Sequence, residues 1–191
     1  MSRRRIADKK GGAVVGVRRS RPIIVRCAPG RPQEARIAVA HDVRRSALGR
    51  ESIRALKREG DGATPFGHFP IRLVLYRHDR VQRPRVPFPV RAIRGDDSWC
   101  EDPGNRNYNR LVKLSAQSPA DWLTREDHLY DVALVLGYND RPRVKGKGSA
   151  IFVHLAREGL TPTAGCIALS RRDLRALLAD LRRDTEVWIK L

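Results

Sequence analysis

Cysteine is scarce in this 191-residue chain, and acidic residues are heavily outnumbered. Cys27, Cys100 and Cys166 cannot all pair within one chain, and no two stand as C-x-x-C. That excludes a disulfide framework and a thiolate zinc site, and no metal or cofactor site is read. No run approaches the ~18 apolar residues of a membrane span. The basic N-terminus leads into only Gly11 to Val17 before Arg18 and Arg19. This stretch is too short and glycine-rich for the apolar core of an export signal, and none is recognisable in the chain as written. Aromatic residues amount to 6%. With no RNP aromatic set, zinc-finger spacing or helix-turn-helix pattern, no specific nucleic-acid partner is read. Internal repeats are absent, as is low complexity beyond the first 21 residues.

Apolar residues make up 41% and charged residues 31%, a balance that buries a core rather than staying disordered. The length suits one domain. Lys and Arg number 39 against 21 Asp and Glu, for a net charge of +18. Residues 1–21 read as a flexible basic tail carrying eight of the cations against Asp8, a net +7, which leaves +11 on the domain at 22–191. A field of that sign attracts polyanions without naming one.

Runs rich in branched and aromatic residues at 23–26, 36–40, 71–77, 87–93, 129–138, 149–155 and 186–191 are separated by Gly, Pro, Asn and Asp clusters. This spacing predicts a mainly β, mainly antiparallel fold. One amphipathic helix is expected over about 171–183: Leu174, Leu177, Leu178 and Leu181 recur at helical spacing, Ser170 is placed as N-cap, and Asp173 follows three residues later.

Just before that helix lies "GSAIFVHLAREGLTPTAGCIALS" (148–170). Alternation along a strand at 149–155 puts Ala150, Phe152 and His154 on one face and Ile151, Val153 and Leu155 on the other. Cys166 follows His154 by twelve positions. From spacing alone, a structural histidine and a small buried thiol explain the pair. A loop containing Gly159, Pro162 and Gly165 also allows the chain to fold back so that the imidazole meets the thiol and draws off its proton. Gly165 permits close approach of a carbonyl, and the backbone N–H groups of Gly165 and Cys166 are candidate oxyanion donors.

"KREGDGATPFGHF" (57–69), "FVHL" (152–155) and "TAGCIAL" (163–169) resemble the signatures of the L,D-transpeptidase catalytic domain, the YkuD type, over roughly residues 23 to 191. The resemblance implies a β-sandwich-like fold with short helical segments besides the C-terminal helix, and a cysteine acyltransferase of peptidoglycan. Cys166 would be the nucleophile, His154 the general base, and stem peptides both donor and acceptor. The D-G-x-T-P-x-G-x-F motif falls at Asp61, Gly62, Thr64, Pro65, Gly67 and Phe69, where a structural turn into a strand is expected.

The chain departs from the family's usual Ser/Thr-His-Gly-Cys-x-Arg, reading Thr163-Ala164-Gly165-Cys166-Ile167-Ala168. The histidine before the glycine and the arginine after the cysteine are missing, and the His-to-Cys spacing is short. "DDSWCEDPGNRNYNR" (96–110) resembles a segment of a proteobacterial branch with this variant, some members of which are associated with 1–3 instead of 3–3 cross-links. Trp99, Asn107, Tyr108 and Asn109 in that segment, with Thr163, are candidate substrate-binding residues; a packed loop with Asx turns explains the segment equally well. Arg141, Arg143 and Lys145, in a basic turn, are candidates for meeting stem-peptide carboxylates. Cys100 reads as structural, as do His41, His68, His78 and His128. Two competing functions stay open: an L,D-carboxypeptidase, with water as acceptor, and a non-enzymatic polyanion-binding protein. The chemistry of the first reading belongs in the periplasm or cell envelope.

Overall fold

The computed structural model describes residues 21–39, 42–113 and 121–191; the basic segment 1–20 and His41 lie outside the described residues. Strands occupy β1 (Ile23–Ala28), β2 (Arg31–Val39), β3 (Asp42–Ala47), β4 (Ile53–Arg54), β5 (Thr64–Pro65), β6 (Gly67–Tyr76), β7 (Val90–Ala92), β8 (Asp97–Cys100), β9 (Arg110–Lys113), β10 (Asp121–Trp122), β11 (Val132–Leu136), β12 (Phe152–Leu155), β13 (Ile167–Leu169) and β14 (Glu186–Lys190), with the helix α1 (Arg171–Asp180). Each apolar run read from the sequence contains or overlaps a strand. The fold is mainly β.

Nine strands form one sheet in the order β11-β12-β13-β3-β2-β1-β14-β6-β7, and β11 also pairs with β6. The long strand β6 makes this closure possible. Its first half, Gly67 to Pro70, pairs with β14, and its second half, Ile71 to Tyr76, pairs with β11. The sheet therefore curls back on itself around a core. Pairing is mostly antiparallel, but β1–β14, β12–β13, β6–β7 and β4–β5 are parallel.

Strand β12 separates two apolar clusters, as its alternation requires. Ile151, Val153 and Leu155 join the larger core with Leu134, Ile167 and Leu174. Ala150 and Phe152 face the other side with Cys166, Trp99, Ala133 and Val135, beside the small sheet β10-β8-β9.

Helix α1 starts where expected, with Asp173 N–H donating to Ser170 Oγ at 3.1 Å and the Ser170 hydroxyl donating back to the Asp173 carboxylate at 2.6 Å. It ends at Asp180, earlier than the leucine periodicity suggests, because Leu181 turns extended and Arg182 N–H donates to Thr185 Oγ1 at 2.8 Å. Leu174, Leu177 and Leu181 are nonetheless buried, each contributing roughly 2 kcal/mol of apolar burial.

Candidate active site

Strands β12 and β13 run parallel and adjacent, with Val153 beside Ile167 and His154 beside Ala168. They are joined by the loop that starts after Leu155, so the twelve-residue excursion returns the chain to the strand it left. Because the register is parallel, residues on the Phe152 face of β12 share a face with Cys166 and Ala168. His154 and Cys166 thus lie diagonally on one face and open into a common cavity of about 130 Å³, also lined by Arg125, Tyr130, Arg157 and Thr163.

His154 is 3% exposed. Its Nδ1 lies 2.7 Å from the Leu155 carbonyl. A carbonyl only accepts, so Nδ1 carries the proton and Nε2 keeps its lone pair. Burial lowers the pKa of this imidazole to about 4; the Leu155 hydrogen bond opposes that shift, and the charges of Arg125 and Arg157 reinforce it. The ring packs edge-on against Tyr130 with centroids 5.3 Å apart. A neutral imidazole with a fixed tautomer is the form a general base requires.

Cys166, 8% exposed, is held by the backbone of the preceding strand. Its thiol donates to the Ala150 carbonyl at 3.1 Å, and Phe152 N–H donates to Sγ at 3.4 Å. The first contact favours the thiol, whereas the second favours a thiolate. Ala150 adopts φ +52°, a left-handed conformation that costs a non-glycine residue about 1–2 kcal/mol. It turns the carbonyl toward the sulfur.

The turn before Cys166 is rigidly placed. Thr163 Oγ1 donates to the Cys166 carbonyl at 2.6 Å and accepts from Gly165 N–H at 3.1 Å. Thr163 N–H donates to the Leu48 carbonyl at 2.8 Å, and Arg50 N–H donates to the Thr163 carbonyl at 3.0 Å. Gly165 has φ +140°, and a Cβ on it would stand 2.7 Å from the Ala63 carbonyl oxygen. Of the two expected oxyanion donors, Gly165 N–H is therefore engaged with Thr163.

Behind this turn lies the D-G-x-T-P motif. Asp61 Oδ1 accepts from Lys57 Nζ at 2.7 Å and from Ala63 N–H at 2.9 Å; Oδ2 accepts from Arg58 N–H at 2.8 Å. Burial alone would raise the Asp61 carboxyl, but these hydrogen bonds outweigh it and hold the group below its ordinary range. Thr64 Oγ1 accepts from Gly49 N–H at 2.9 Å, and Pro65 leads into β6. Lys57, with its side chain only 3% exposed, is the buried cation beneath Gly165. It stood inside the quoted motif, but nothing local marked it as buried.

The other candidate residues sit elsewhere. Trp99 packs edge-on against Phe152, ring centroids 5.0 Å apart, and donates from Nε1 to Asn109 Oδ1 at 3.0 Å. That oxygen also accepts from Ala150 N–H at 3.1 Å, and Asn109 Nδ2 donates to the Tyr138 and Asn139 carbonyls at 3.0 and 2.9 Å. All four hydrogen-bonding positions of this buried amide are used internally. Asn107 closes an Asx turn through its N–H to Asn105 Oδ1 at 2.9 Å. Tyr108, 3% exposed, donates to Glu59 and accepts from Gly148 N–H; burial, then the Glu59 hydrogen bond, push its phenol pKa up. None of these four residues lines the cavity, whereas Thr163 does.

In the basic turn, Arg143 Nε donates to the Asn109 carbonyl at 3.2 Å and Lys145 Nζ to the Gly104 carbonyl at 3.4 Å. Cys100 is buried, and Cys27, Cys100 and Cys166 are not joined in disulfides. His68 stacks on Trp188, His128 pairs with Asp131, and His78 is exposed.

Sequence reasoning missed Arg125, Tyr130 and Arg157 in the cavity wall. Arg125 binds Asp127 through two bonds of 2.9 and 2.7 Å, and Arg157 reaches the same carboxylate at 3.1 Å. The Arg125 hydrogen bond is the main reason the Asp127 carboxyl stays far below its ordinary value. Two guanidiniums against one carboxylate leave the mouth net positive. Among the described residues, no cluster of His, Cys, Asp or Glu is placed to hold a metal, and no helix is long and apolar enough to cross a membrane.

A thiol and a neutral imidazole that open into one cavity, on a backbone that fixes both, form an arrangement suited to nucleophilic acyl chemistry. The family model described as the L,D-transpeptidase catalytic domain, YkuD, matches residues 13–189. The chain belongs to that family, whose general function is acyl transfer on cell-wall peptidoglycan. The match begins inside the stretch read as a tail. No curated protein matches the chain.

Proposed function

We propose that the protein is an L,D-transpeptidase that exchanges a stem-peptide amide through a thioester on Cys166, acting in the periplasm or cell envelope. Cys166 Sγ attacks the carbonyl joining meso-diaminopimelate to the terminal D-Ala while its proton passes to His154 Nε2. With so reluctant an imidazole, the resting pair is neutral and the proton moves as the S–C bond forms. The oxyanion settles against the Gly165–Cys166 backbone, where Gly165 N–H exchanges the Thr163 hydroxyl for substrate oxygen. Collapse breaks the C–N bond, and His154 returns the proton to the departing D-Ala amine, leaving the thioester. An acceptor amine then loses its proton to Nε2 and attacks the thioester. The sulfur leaves as thiolate and recovers that proton from His154, so one amide has replaced another without redox change.

Arg125 and Arg157 receive a substrate carboxylate at the cavity mouth. Asn109 acts as a positioning residue: by fixing Ala150 N–H it holds the left-handed Ala150 whose carbonyl aims the thiol. The observation that carries the whole reading is that Cys166 and His154 share one face of adjacent parallel strands and one cavity, with Nε2 unprotonated.

Muropeptide analysis of the purified protein against Cys166→Ala tests it. Cross-linked dimers dependent on Cys166 are expected. Shortened monomers alone would make the protein an L,D-carboxypeptidase, and identical products from both proteins would refute the acyl-enzyme altogether.

A further inference from the structure

A cavity larger than the one at Cys166 stands apart from it. It lies on the opposite face of β12, between α1 and the segment 80–85, and holds about 490 Å³, within the range of small-molecule sites. Its floor is apolar, from Val132 and Leu155 of the sheet and Leu174 and Leu178 of the helix. Four arginines line it: Arg80, Arg85, Arg171 and Arg175.

The charges are unevenly satisfied. Asp131, 2% exposed, takes Arg80 at 3.2 Å on one oxygen and Arg171 at 3.1 Å on the other, and His128 at 3.0 Å. Arg80 also reaches Glu126 at 2.9 Å. These bonds fix two guanidiniums in place. Arg85 and Arg175 have no ion pair or hydrogen bond among the described residues. Four guanidiniums against two carboxylates leave a surplus of two positive charges over an apolar floor.

We propose that this cavity binds a phosphomonoester carried on an alkyl chain, the chain lying on Leu174, Leu178, Val132 and Leu155 and the phosphate held by the arginines. A phosphomonoester carries about −1.5 to −2 charge at neutral pH, which matches the surplus, whereas a carboxylate leaves half of it unmet. The site is separated from Cys166 by the sheet and stands whether or not the thioester chemistry does.

The test is calorimetric titration of the full chain with dodecyl phosphate below its micelle concentration. The comparison ligands are inorganic phosphate and dodecyl maltoside, and the variant is Arg85→Ala/Arg175→Ala. These arginines are exposed, so the double variant should fold, and an unchanged thermal midpoint confirms it. Dodecyl phosphate should bind one per chain and lose about 100-fold in the double variant, about tenfold for each charge-assisted contact. Leu178→Asp should abolish binding at unchanged fold. Equal affinity for dodecyl maltoside, equal affinity for inorganic phosphate, or indifference to Arg85→Ala/Arg175→Ala would each overturn the proposal.

Discussion

Acidification should destabilise the folded protein well before its carboxylates titrate, and His154 should be the cause. An imidazole ordinarily titrates near 6.5, and burial lowers this one to about 4. Between those values the unfolded chain binds a proton that the folded chain refuses, so stability falls as pH drops. The penalty is absent above about pH 6.5 and complete below about pH 4. A difference of 2.5 pH units at 1.36 kcal/mol each amounts to about 3 kcal/mol, a large part of an ordinary domain's stability. The groups facing the ring are the Leu155 carbonyl, Tyr130, Arg125, Arg157 and Asp127. None supplies an anion close enough to offset the loss of solvent. Urea denaturation at several pH values from 7 to 4 would measure it, with His154→Gln as reference. Glutamine stays neutral and retains an N–H for the Leu155 carbonyl. Asp61, Asp127 and Asp131, whose pKa values are also depressed, lose their contribution at lower pH in both proteins, and the difference removes them. The unaltered protein should lose about 3 kcal/mol more than the variant across the window. Parallel curves would show that His154 is not a buried neutral imidazole, and the general-base argument would fail with it.

Gly165→Ala and Gly60→Ala form a second test. Both glycines have positive φ, but a Cβ at Gly60 meets open space, while one at Gly165 meets the Ala63 carbonyl at 2.7 Å; denaturation should cost about 1 kcal/mol at Gly60 and about 3 kcal/mol or more at Gly165. Asn109→Asp keeps the acceptor for Trp99 and Ala150 but turns a carboxylate oxygen toward two carbonyls. The pH profile of Cys166 alkylation by iodoacetamide should shift if Asn109 orients the thiol through Ala150, and stay fixed if the residue is only structural. Lys57→Met strands the Asp61 carboxylate beneath the Gly165–Cys166 turn and should destabilise the protein by about 3 kcal/mol at pH 7, less as acid neutralises Asp61, read from denaturation midpoints across pH.

The parts legible in the sequence are those whose determinants are local. α1 declares itself through four leucines and the Ser170–Asp173 cap, and β12 through strict alternation with opposite cores on its two faces. β3 does not, because Asp42–Ala47 carries three charged residues and buries only Ser46 and Ala47. Its polar face is stabilised across the ladder, as when Arg45 meets Glu34 at 2.8 Å. β8 is hidden for the same reason: Asp97 is fully buried, yet held by Arg91 at 2.8 Å and Lys113 at 2.9 Å, partners the chain supplies only when folded.

That distinction also divides the site. That Cys166 and His154 share a cavity was legible because one strand, one loop and one returning strand bring them to it within twelve residues, so the sequence pattern already contains that geometry. The groups that would tune them come from elsewhere: Asn109 reaches across 41 positions to Ala150, and Arg125 arrives from before β11. The arginine missing at 168 illustrates the consequence. Ala168, paired with His154 in register, is small and lines the cavity, and the cations there belong to Arg125 and Arg157. A motif compared position by position registers a lost charge, whereas the folded cavity retains positive charge supplied from two other segments. Electrostatics depends on distance through space, so the absence of a motif cation does not make the cavity neutral.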